Sequence, residues 1–389
     1  MTTARSDTDP RSDSRPSVDP FYDVVRTPRD PGEIVRVREV DVPTRVPARA
    51  WQVVHGSTGT RGPIAVSGTV LAPTAAWSGS GPRPVLSYGV GVHGLDRDAA
   101  PSRFLVEGTE PELPMVEAAL ARGWAVAVTD GEGLGLPGPH TYGAGRPGGC
   151  AMLDLARAAC LVMPDGSTDA PLLLWGYSEG GRCAAWAAEL HASYAPELPL
   201  VAVAAGGVPA DLYDVARAID GGPFSGLGLA VLVGLAHAYG DPALWSILTP
   251  AGLRAAEHAA SLDVVGLVIE LPAPISAHTW REQPWDEPAW RRVLASERNG
   301  SVAPRVPTYL YHVPGDELVP ASVGRRLALR YRALGADVTW QEVDAPDHLS
   351  GGPAGAGDAL AWLERLAARA TADEAGPGTP SSPPARHSG

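Results

Sequence analysis

The residues best suited to chemistry centre on Ser178, in the segment GYSEGG at positions 176–181. An apolar run precedes this segment and an alanine-rich stretch follows it, which is the strand, turn and helix setting of a G-x-S-x-G nucleophile. A serine on such a sharp turn presents its Oγ above the sheet, and the flanking glycines avoid side-chain collisions. The next amide, that of Glu179, is then a candidate donor to an oxyanion. Glycine is common in this chain, so the motif by itself could also be an ordinary glycine-rich turn.

A serine nucleophile needs a general base, and the base needs a carboxylate that orients it. His348 lies in VDAPDHLSGG, which we predict to be an accessible loop between the last strand and the last helix. Asp316 follows a predicted strand, and the order Ser, Asp, His is that of α/β-hydrolases. Asp316 could instead cap a helix, and His348 could be a solvated loop histidine. Their joint occurrence in this order favours a triad, with Asp344 and Asp347 as rival carboxylates.

A second oxyanion donor is expected from the loop that follows an early strand. That loop reads SYGVGVHGL at positions 87–95. The backbone N–H of His93 is the candidate donor, and no role is assigned to its imidazole.

Short strands and helices alternate along the chain, which predicts the scaffold for these residues. Three β-rich runs at 34–40, 51–55 and 64–71 lie close together and suggest an antiparallel opening section. Apolar runs typical of parallel strands follow at 85–90, 124–129, 172–176, 200–205, 308–313 and 338–343. Helices are predicted at 114–122, 150–162, 179–194, 321–334 and 357–370. The pattern predicts an α/β fold with a mostly parallel, doubly wound sheet.

The segment 211–303 interrupts this alternation, because it is mostly helical in pattern. We predict that it is an inserted helical cap, or lid, since ordinary crossover connections are much shorter. Two extra crossover helices are the alternative. The core would then consist of residues 21–210 and 304–370, and the polar ends at 1–20 and 371–389 are predicted to be disordered tails.

A run at 224–236 within this cap is apolar on all sides, as in a buried helix. One face of it could line an acyl site, which makes Phe224, Leu229 and Val233 candidate substrate contacts. These residues could equally form the cap's own core. Tyr177, beside the candidate nucleophile, is a further candidate for substrate contact.

Composition excludes several classes of protein and predicts a compartment. The net charge is −13 without a basic cluster, which argues against a nucleic-acid partner, and the chain contains no lysine for Schiff-base chemistry. Three cysteines do not build a disulfide framework or a zinc site, and the serine chemistry needs no metal or organic cofactor. No apolar run is long enough for a transmembrane segment, and the first twenty residues lack an apolar signal segment. These observations predict a cytoplasmic protein.

Longer segments around the candidate residues resemble the secretory lipase family of α/β-hydrolases, whose best-known kind is the fungal lipase A. The matching segments, over about residues 20–370, include GYSEGG, SYAPEL, GGVPADL, GGPFSG, YHVPGDELVP and DHLSGG. The resemblance implies Ser178 as nucleophile, Asp316 as orienting carboxylate and His348 as base. It also implies oxyanion donors at Glu179 and His93, and a helical lid over an acyl-binding site.

Three functional hypotheses follow. The first is a serine hydrolase that cleaves carboxylic esters of a small molecule or lipid through an acyl-enzyme intermediate. The alternative is an intracellular acyltransferase or thioesterase of a biosynthetic pathway that uses the same residues. The third is a non-catalytic hydrolase-fold protein that acts by binding, and the complete set of serine, aspartate and histidine argues against it.

Overall fold

A computed structural model describes residues 19–24 and 30–374 of the chain. The strands of its central sheet are β1 (Ile34–Val40), β2 (Ala48–Gly59), β3 (Gly62–Pro73), β4 (Val85–Gly89), β5 (Ala125–Gly131), β6 (Leu172–Tyr177), β7 (Leu200–Gly206), β8 (Thr308–His312) and β9 (Val338–Glu342). The α-helices are α1 (Pro101–Glu107), α2 (Leu113–Leu120), α3 (Gly145–Val162), α4 (Glu179–Tyr194), α5 (Leu212–Ile219), α6 (Ser225–Tyr239), α7 (Pro242–Trp245), α8 (Pro250–Ala259), α9 (Val264–Glu270), α10 (Pro288–Ser296), α11 (Ala321–Ala333) and α12 (His348–Glu374).

The sheet has the spatial order β1-β2-β3-β5-β4-β6-β7-β8-β9. Neighbouring strands are antiparallel from β1 through β3 to β5, and parallel from β5 to β9. This arrangement confirms the predicted α/β fold with its antiparallel opening section and mostly parallel sheet. The carboxyl ends of the parallel strands meet at one edge of the sheet, where ligands bind in open α/β folds.

Helices cover both faces of the sheet, so the strands read as continuous apolar runs. On one face, α3, α4 and α11 bury small and aliphatic side chains such as Leu153 and Ala184. On the other face, α2 and α12 bury Val116 and Leu360. Helices α3 and α4 approach closely because Gly149 has no side chain: a Cβ there would lie 2.7 Å from the Ala187 nitrogen. This contact fixes α4, which begins directly after Ser178.

The segment between β7 and β8 contains the six helices α5 to α10 and has its own apolar core. Its chain contacts the loop after β4 through backbone hydrogen bonds. The Leu262 carbonyl accepts from the amides of Leu95, at 2.9 Å, and Asp96, at 3.1 Å, and the Val264 amide donates to the His93 carbonyl at 2.8 Å. The helical segment and the loop beside β4 are therefore joined by the backbone itself.

Both predicted ends of the last helix differ from the structure. Helix α12 begins at His348 rather than near residue 357, so the predicted loop around this histidine is in fact the first turn of a helix. The same helix extends to Glu374, into the segment predicted as a tail. Residues 1–18 and 375–389 of the predicted tails lie outside the described residues, whereas Pro20–Tyr22 form a short 3₁₀ turn.

Candidate active site

Ser178 occupies a strained turn between β6 and α4. Among the described residues it is the only non-glycine residue with a positive φ, at 57°. Such a conformation is costly and persists where the surrounding structure imposes it. Here the backbone is crowded: a Cβ on Gly180 would lie 1.8 Å from the Gly89 oxygen, and one on Gly176 would lie 2.3 Å from the Gly180 oxygen. Glycine at both positions lets β4 and α4 approach the turn that presents Ser178.

A continuous chain of hydrogen bonds runs from Ser178 through His348 to Asp316. The distance from Ser178 Oγ to His348 Nε2 is 2.8 Å, and that from His348 Nδ1 to Asp316 Oδ2 is 2.6 Å. The Asp316 carboxylate accepts a hydrogen bond from His348 Nδ1, so a neutral imidazole carries its proton on Nδ1. His348 Nε2 is then unprotonated and can act as a base toward Ser178. His348 is 2 % exposed, so it is buried rather than accessible as predicted, while Ser178 remains half-buried.

The Asp316 carboxylate receives hydrogen bonds on both oxygens. Oδ1 accepts from the amides of Leu318, at 3.0 Å, and Val319, at 2.6 Å, and the His312 Nε2 lies 3.3 Å from Oδ2. Burial alone would raise the pKa of this carboxyl, but the hydrogen bonds from His312, His348 and Val319 hold the pKa well below its usual value. Asp316 is therefore ionised across the neutral pH range and can stabilise an imidazolium at His348.

Three residues around His348 were not singled out for this role by sequence reasoning. His312, at the end of β8, faces the Asp316 carboxylate, and Glu317 accepts a 2.9 Å hydrogen bond from the His348 amide. The Tyr177 hydroxyl donates to the His348 carbonyl at 2.8 Å, and the two rings lie 5.1 Å apart. Tyr177 is buried beside the histidine, where it supports His348. The spacing of His312 and Asp316, four residues apart at a strand end, was the available signal.

The two candidate oxyanion donors lie on elements that meet near Ser178. Glu179 is the first residue of α4, where the amide has no carbonyl partner within the helix. His93 belongs to the loop after β4, and both residues line the same small cavity. Three candidate substrate residues lie in the helical segment between β7 and β8: Leu229 and Val233 are 1 % and 2 % exposed in its apolar core, and Phe224 packs against that core.

Comparison with known proteins identifies the family of the chain. The family model described as "Secretory lipase" matches residues 100–374. The chain belongs to the secretory lipase family. One relative is a probable inactive lipase of Mycobacterium tuberculosis, 32% identical over 92% of this chain and 84% of that protein. Another is a secreted triacylglycerol lipase of Malassezia furfur, 28% identical over 70% of this chain and 74% of that protein.

Among solved structures, this chain is similar to Candida antarctica lipase A in its closed state. The TM-score is 0.79 and the identity 26%, over 92% of this chain and 87% of that chain. The similarity agrees with the resemblance to lipase A seen in the sequence and with an α/β-hydrolase fold.

The predicted cytoplasmic location is wrong. The family is one of secretory lipases, and the Malassezia furfur relative is a secreted enzyme, so the family points to an extracellular location. The prediction depended on the polarity of the first twenty residues, and membership of the secretory lipase family overrules it. Within residues 19–24 and 30–374, no helix combines the length and apolar character that a membrane crossing requires.

Proposed function

We propose that this secretory lipase hydrolyses carboxylic esters through Ser178, His348 and Asp316. The observation that carries the proposal is the hydrogen-bonded chain from Ser178 Oγ through the His348 ring to a buried, ionised Asp316. Family membership supports ester hydrolysis as the reaction class. To this reaction class we add the three residues and the role of each.

In the proposed mechanism, His348 Nε2 takes the proton from Ser178 Oγ as that oxygen attacks the ester carbonyl carbon. The resulting oxyanion accepts hydrogen bonds from the amides of Glu179 and His93. The imidazolium then returns the proton to the departing alcohol, leaving an acyl ester on Ser178. Water, activated in the same way by His348, attacks this ester and releases the carboxylic acid. No step requires a metal or an organic cofactor.

A lipid ester is the substrate class that we propose, with the helical segment 211–303 as a lid over the site. The Malassezia furfur relative is named as a triacylglycerol lipase, which supports a lipid ester. The hydrogen bonds of Leu262 and Val264 to the loop that contains His93 support a lid that borders the oxyanion site. The roles of Phe224, Leu229 and Val233 as acyl contacts remain predictions, and their burial favours the cap's own core.

Binding without catalysis is the second candidate function, because the Mycobacterium tuberculosis relative is named a probable inactive lipase. The strained conformation of Ser178 argues against it, since a purely binding role gives no reason to maintain this strain. An extracellular location, to which the family points, removes the support that an intracellular location would give to the acyltransferase alternative.

The test compares the wild-type protein with the Ser178→Ala variant on p-nitrophenyl esters with acyl chains from two to sixteen carbons. We expect a loss in kcat on the order of 10³-fold or more in the variant, with an unchanged melting temperature. A fluorophosphonate probe should label wild-type Ser178 and leave the variant unlabelled. Wild-type protein that neither hydrolyses these esters nor reacts with the probe would favour the binding function.

A further inference from the structure

The imidazole of His93 has a bonding pattern that its backbone role does not require. Its Nδ1 lies 2.8 Å from the Gly91 carbonyl oxygen, and its Nε2 lies 2.8 Å from Glu110 Oε2. A carbonyl oxygen can only accept, so Nδ1 carries a hydrogen. An ionised Glu110 carboxylate also only accepts. Its contact with His93 is therefore a hydrogen bond when Nε2 carries a hydrogen in addition to the one on Nδ1. A ring that donates from both nitrogens is an imidazolium.

The surroundings of this ring are buried. The His93 side chain is 7 % exposed and that of Glu110 is fully buried. The other Glu110 oxygen accepts from the Glu112 amide at 3.0 Å, and Glu112 in turn accepts from the Gly91 amide at 2.9 Å. Gly91 is thus held through its carbonyl by His93 and through its amide by Glu112. The loop after β4 is fixed to the chain before α2 by this pair of contacts.

We propose that His93 is a charged positioning residue, whose imidazolium, held between Glu110 and the Gly91 carbonyl, fixes the loop that presents its own amide to the oxyanion. The inference rests on the proposed function, since it concerns the oxyanion of that reaction. The ring is attached to the same Cα as the proposed donor amide, so its positive charge lies close to the developing negative charge. Fixed charges of this kind act strongly in a site that excludes water.

Other titratable groups near the ring come from several elements. Glu110 and Glu112 precede α2, Asp130 lies at the end of β5, and His140 lies in the loop before α3. Burial alone would lower the pKa of His93, but the hydrogen bond and the charge of Glu110 outweigh burial and raise it. Burial lowers the pKa of His140 to about 4 and raises the pKa of Glu112 to about 7, so these two groups are neutral more often than their exposed counterparts. Glu110 is therefore the main partner of a charged His93.

The first test observes the wild-type protein directly and needs no activity. Spectra of protein labelled with ¹⁵N in its histidines distinguish an imidazolium from either neutral tautomer. Across a pH titration of substrate-free enzyme, we expect one histidine to remain an imidazolium to higher pH in the wild type than in Glu110→Gln. A titration in which Glu110→Gln leaves the pH range of every imidazolium signal unchanged overturns the proposal, whatever the Ser178→Ala variant shows.

The second test measures kcat and KM against pH for His93→Gln and Glu110→Gln. We expect His93→Gln to lower kcat about 10- to 100-fold with little change in KM, which is less than the loss of a whole oxyanion donor. A histidine with a raised pKa is charged at low pH and loses its charge as pH rises, so activity should fall on the alkaline side. Glu110→Gln should move this alkaline fall to lower pH, because the imidazolium then loses the opposite charge that stabilises it.

His258→Gln provides the matched control, because His258 also pairs with a glutamate, Glu270, at 2.7 Å, but on the surface. The control should leave kcat and the pH profile unchanged. If His93→Gln lowers the melting temperature while the alkaline fall of Glu110→Gln coincides with that of wild type, the His93–Glu110 pair is only structural and the proposal is wrong.

Discussion

Two aspartates have fully buried side chains but pKa values shifted in opposite directions: Asp316, which contacts His348, and Asp154 on helix α3. Asp316 receives hydrogen bonds from two imidazoles and two backbone amides, and its pKa lies well below the usual value. Asp154 accepts from the hydroxyls of Ser57, at 2.7 Å, and Tyr194, at 2.8 Å, and pairs with Arg157, yet burial raises its pKa to about 6. Two equally buried aspartates therefore differ in the direction of their pKa shifts.

The difference lies in the kind of donor and in its fixed position. The imidazoles of His312 and His348, together with the backbone amide of Val319, favour the ionised form of Asp316. A hydroxyl can rotate and serve a protonated carboxyl almost as well as an ionised one. The site therefore keeps Asp316 charged as a partner for His348, whereas the carboxyl on α3 serves packing and tolerates a proton.

The largest expected effect separates the two aspartates by activity. Asp316→Asn should lower kcat on the order of 10³- to 10⁴-fold, because an amide cannot stabilise the imidazolium at His348. Asp154→Asn, the same change at an equally buried position, should retain most of the activity. Asp347→Asn tests the rival carboxylate and should have a much smaller effect than Asp316→Asn. Rates of ester hydrolysis test this prediction. A larger loss of kcat in Asp347→Asn than in Asp316→Asn would make Asp347 the orienting carboxylate.

The second prediction concerns stability against pH. With a pKa of about 6 in the folded state, Asp154 binds a proton between about pH 4 and pH 6 that the unfolded chain has released. The free energy of unfolding therefore falls as pH rises through this window, by about 3 kcal/mol for this group. In Asp154→Asn, the free energy of unfolding should not show this decrease with rising pH. Urea unfolding of both proteins at pH 4 and pH 7 measures it, and parallel pH dependences would refute the raised pKa.

For Asp316 the sign is reversed. Its folded-state pKa lies below that of the unfolded chain, so its contribution to stability is present above about pH 4 and is lost as pH falls through the folded pKa. The same unfolding series, extended to acid, should show Asp316→Asn losing less stability on acidification than wild type.

A smaller effect is expected from His312→Phe, which keeps a ring stacked on Trp340 but removes Nε2, which lies 2.8 Å from the Val319 carbonyl oxygen and 3.3 Å from Asp316 Oδ2. With fewer donors the pKa of Asp316 should rise toward its usual value, and kcat should fall about tenfold, or ~1.4 kcal/mol of transition-state stabilisation. The acid side of the pH profile should move to higher pH. An unaltered profile would show that the backbone amides alone keep Asp316 ionised.

The smallest effect should come from Tyr194→Phe, which removes one hydroxyl donor to Asp154. We expect a loss of about 1 kcal/mol in the free energy of unfolding and no change in kcat. Urea unfolding at pH 7 and ester hydrolysis check the two parts. A reduced kcat would mean that the cluster on α3 is coupled to the site.

Sequence reasoning located the helix Glu179–Tyr194 at both ends, because the turn before it needs glycines and the run after it is strongly helical. It placed the last helix too late, since Gly351, Gly352 and Pro353 look like a loop. The structure gives the reason: a Cβ on Gly351 would lie 2.3 Å from the Tyr177 hydroxyl. These glycines let the first turn of α12 approach Tyr177, and such a tertiary requirement is not visible in local preference.

The candidate site was predictable where chain order and strand ends define it, as for Ser178, Asp316 and His348. The residues around it were not, because their roles depend on contacts between distant segments. The bond from Tyr177 to the His348 carbonyl and the ion pair of His93 with Glu110 are examples. Sequence indicated the positions of the candidate catalytic residues, and folding determined which neighbours hold them.

The backbone contacts between the cap and the loop after β4 have a consequence for engineering chimaeric lipases. Gly94 has a φ of +120°, and a Cβ there would lie 2.4 Å from the Asp263 Cα. Consider a chimaera that takes the helical segment 211–303 from a relative but keeps loop 92–96 of this chain. The backbone of the new segment would then not fit the backbone of this loop. The smallest exchangeable module therefore consists of the cap together with that loop, and substrate range and oxyanion geometry should be inherited as one unit.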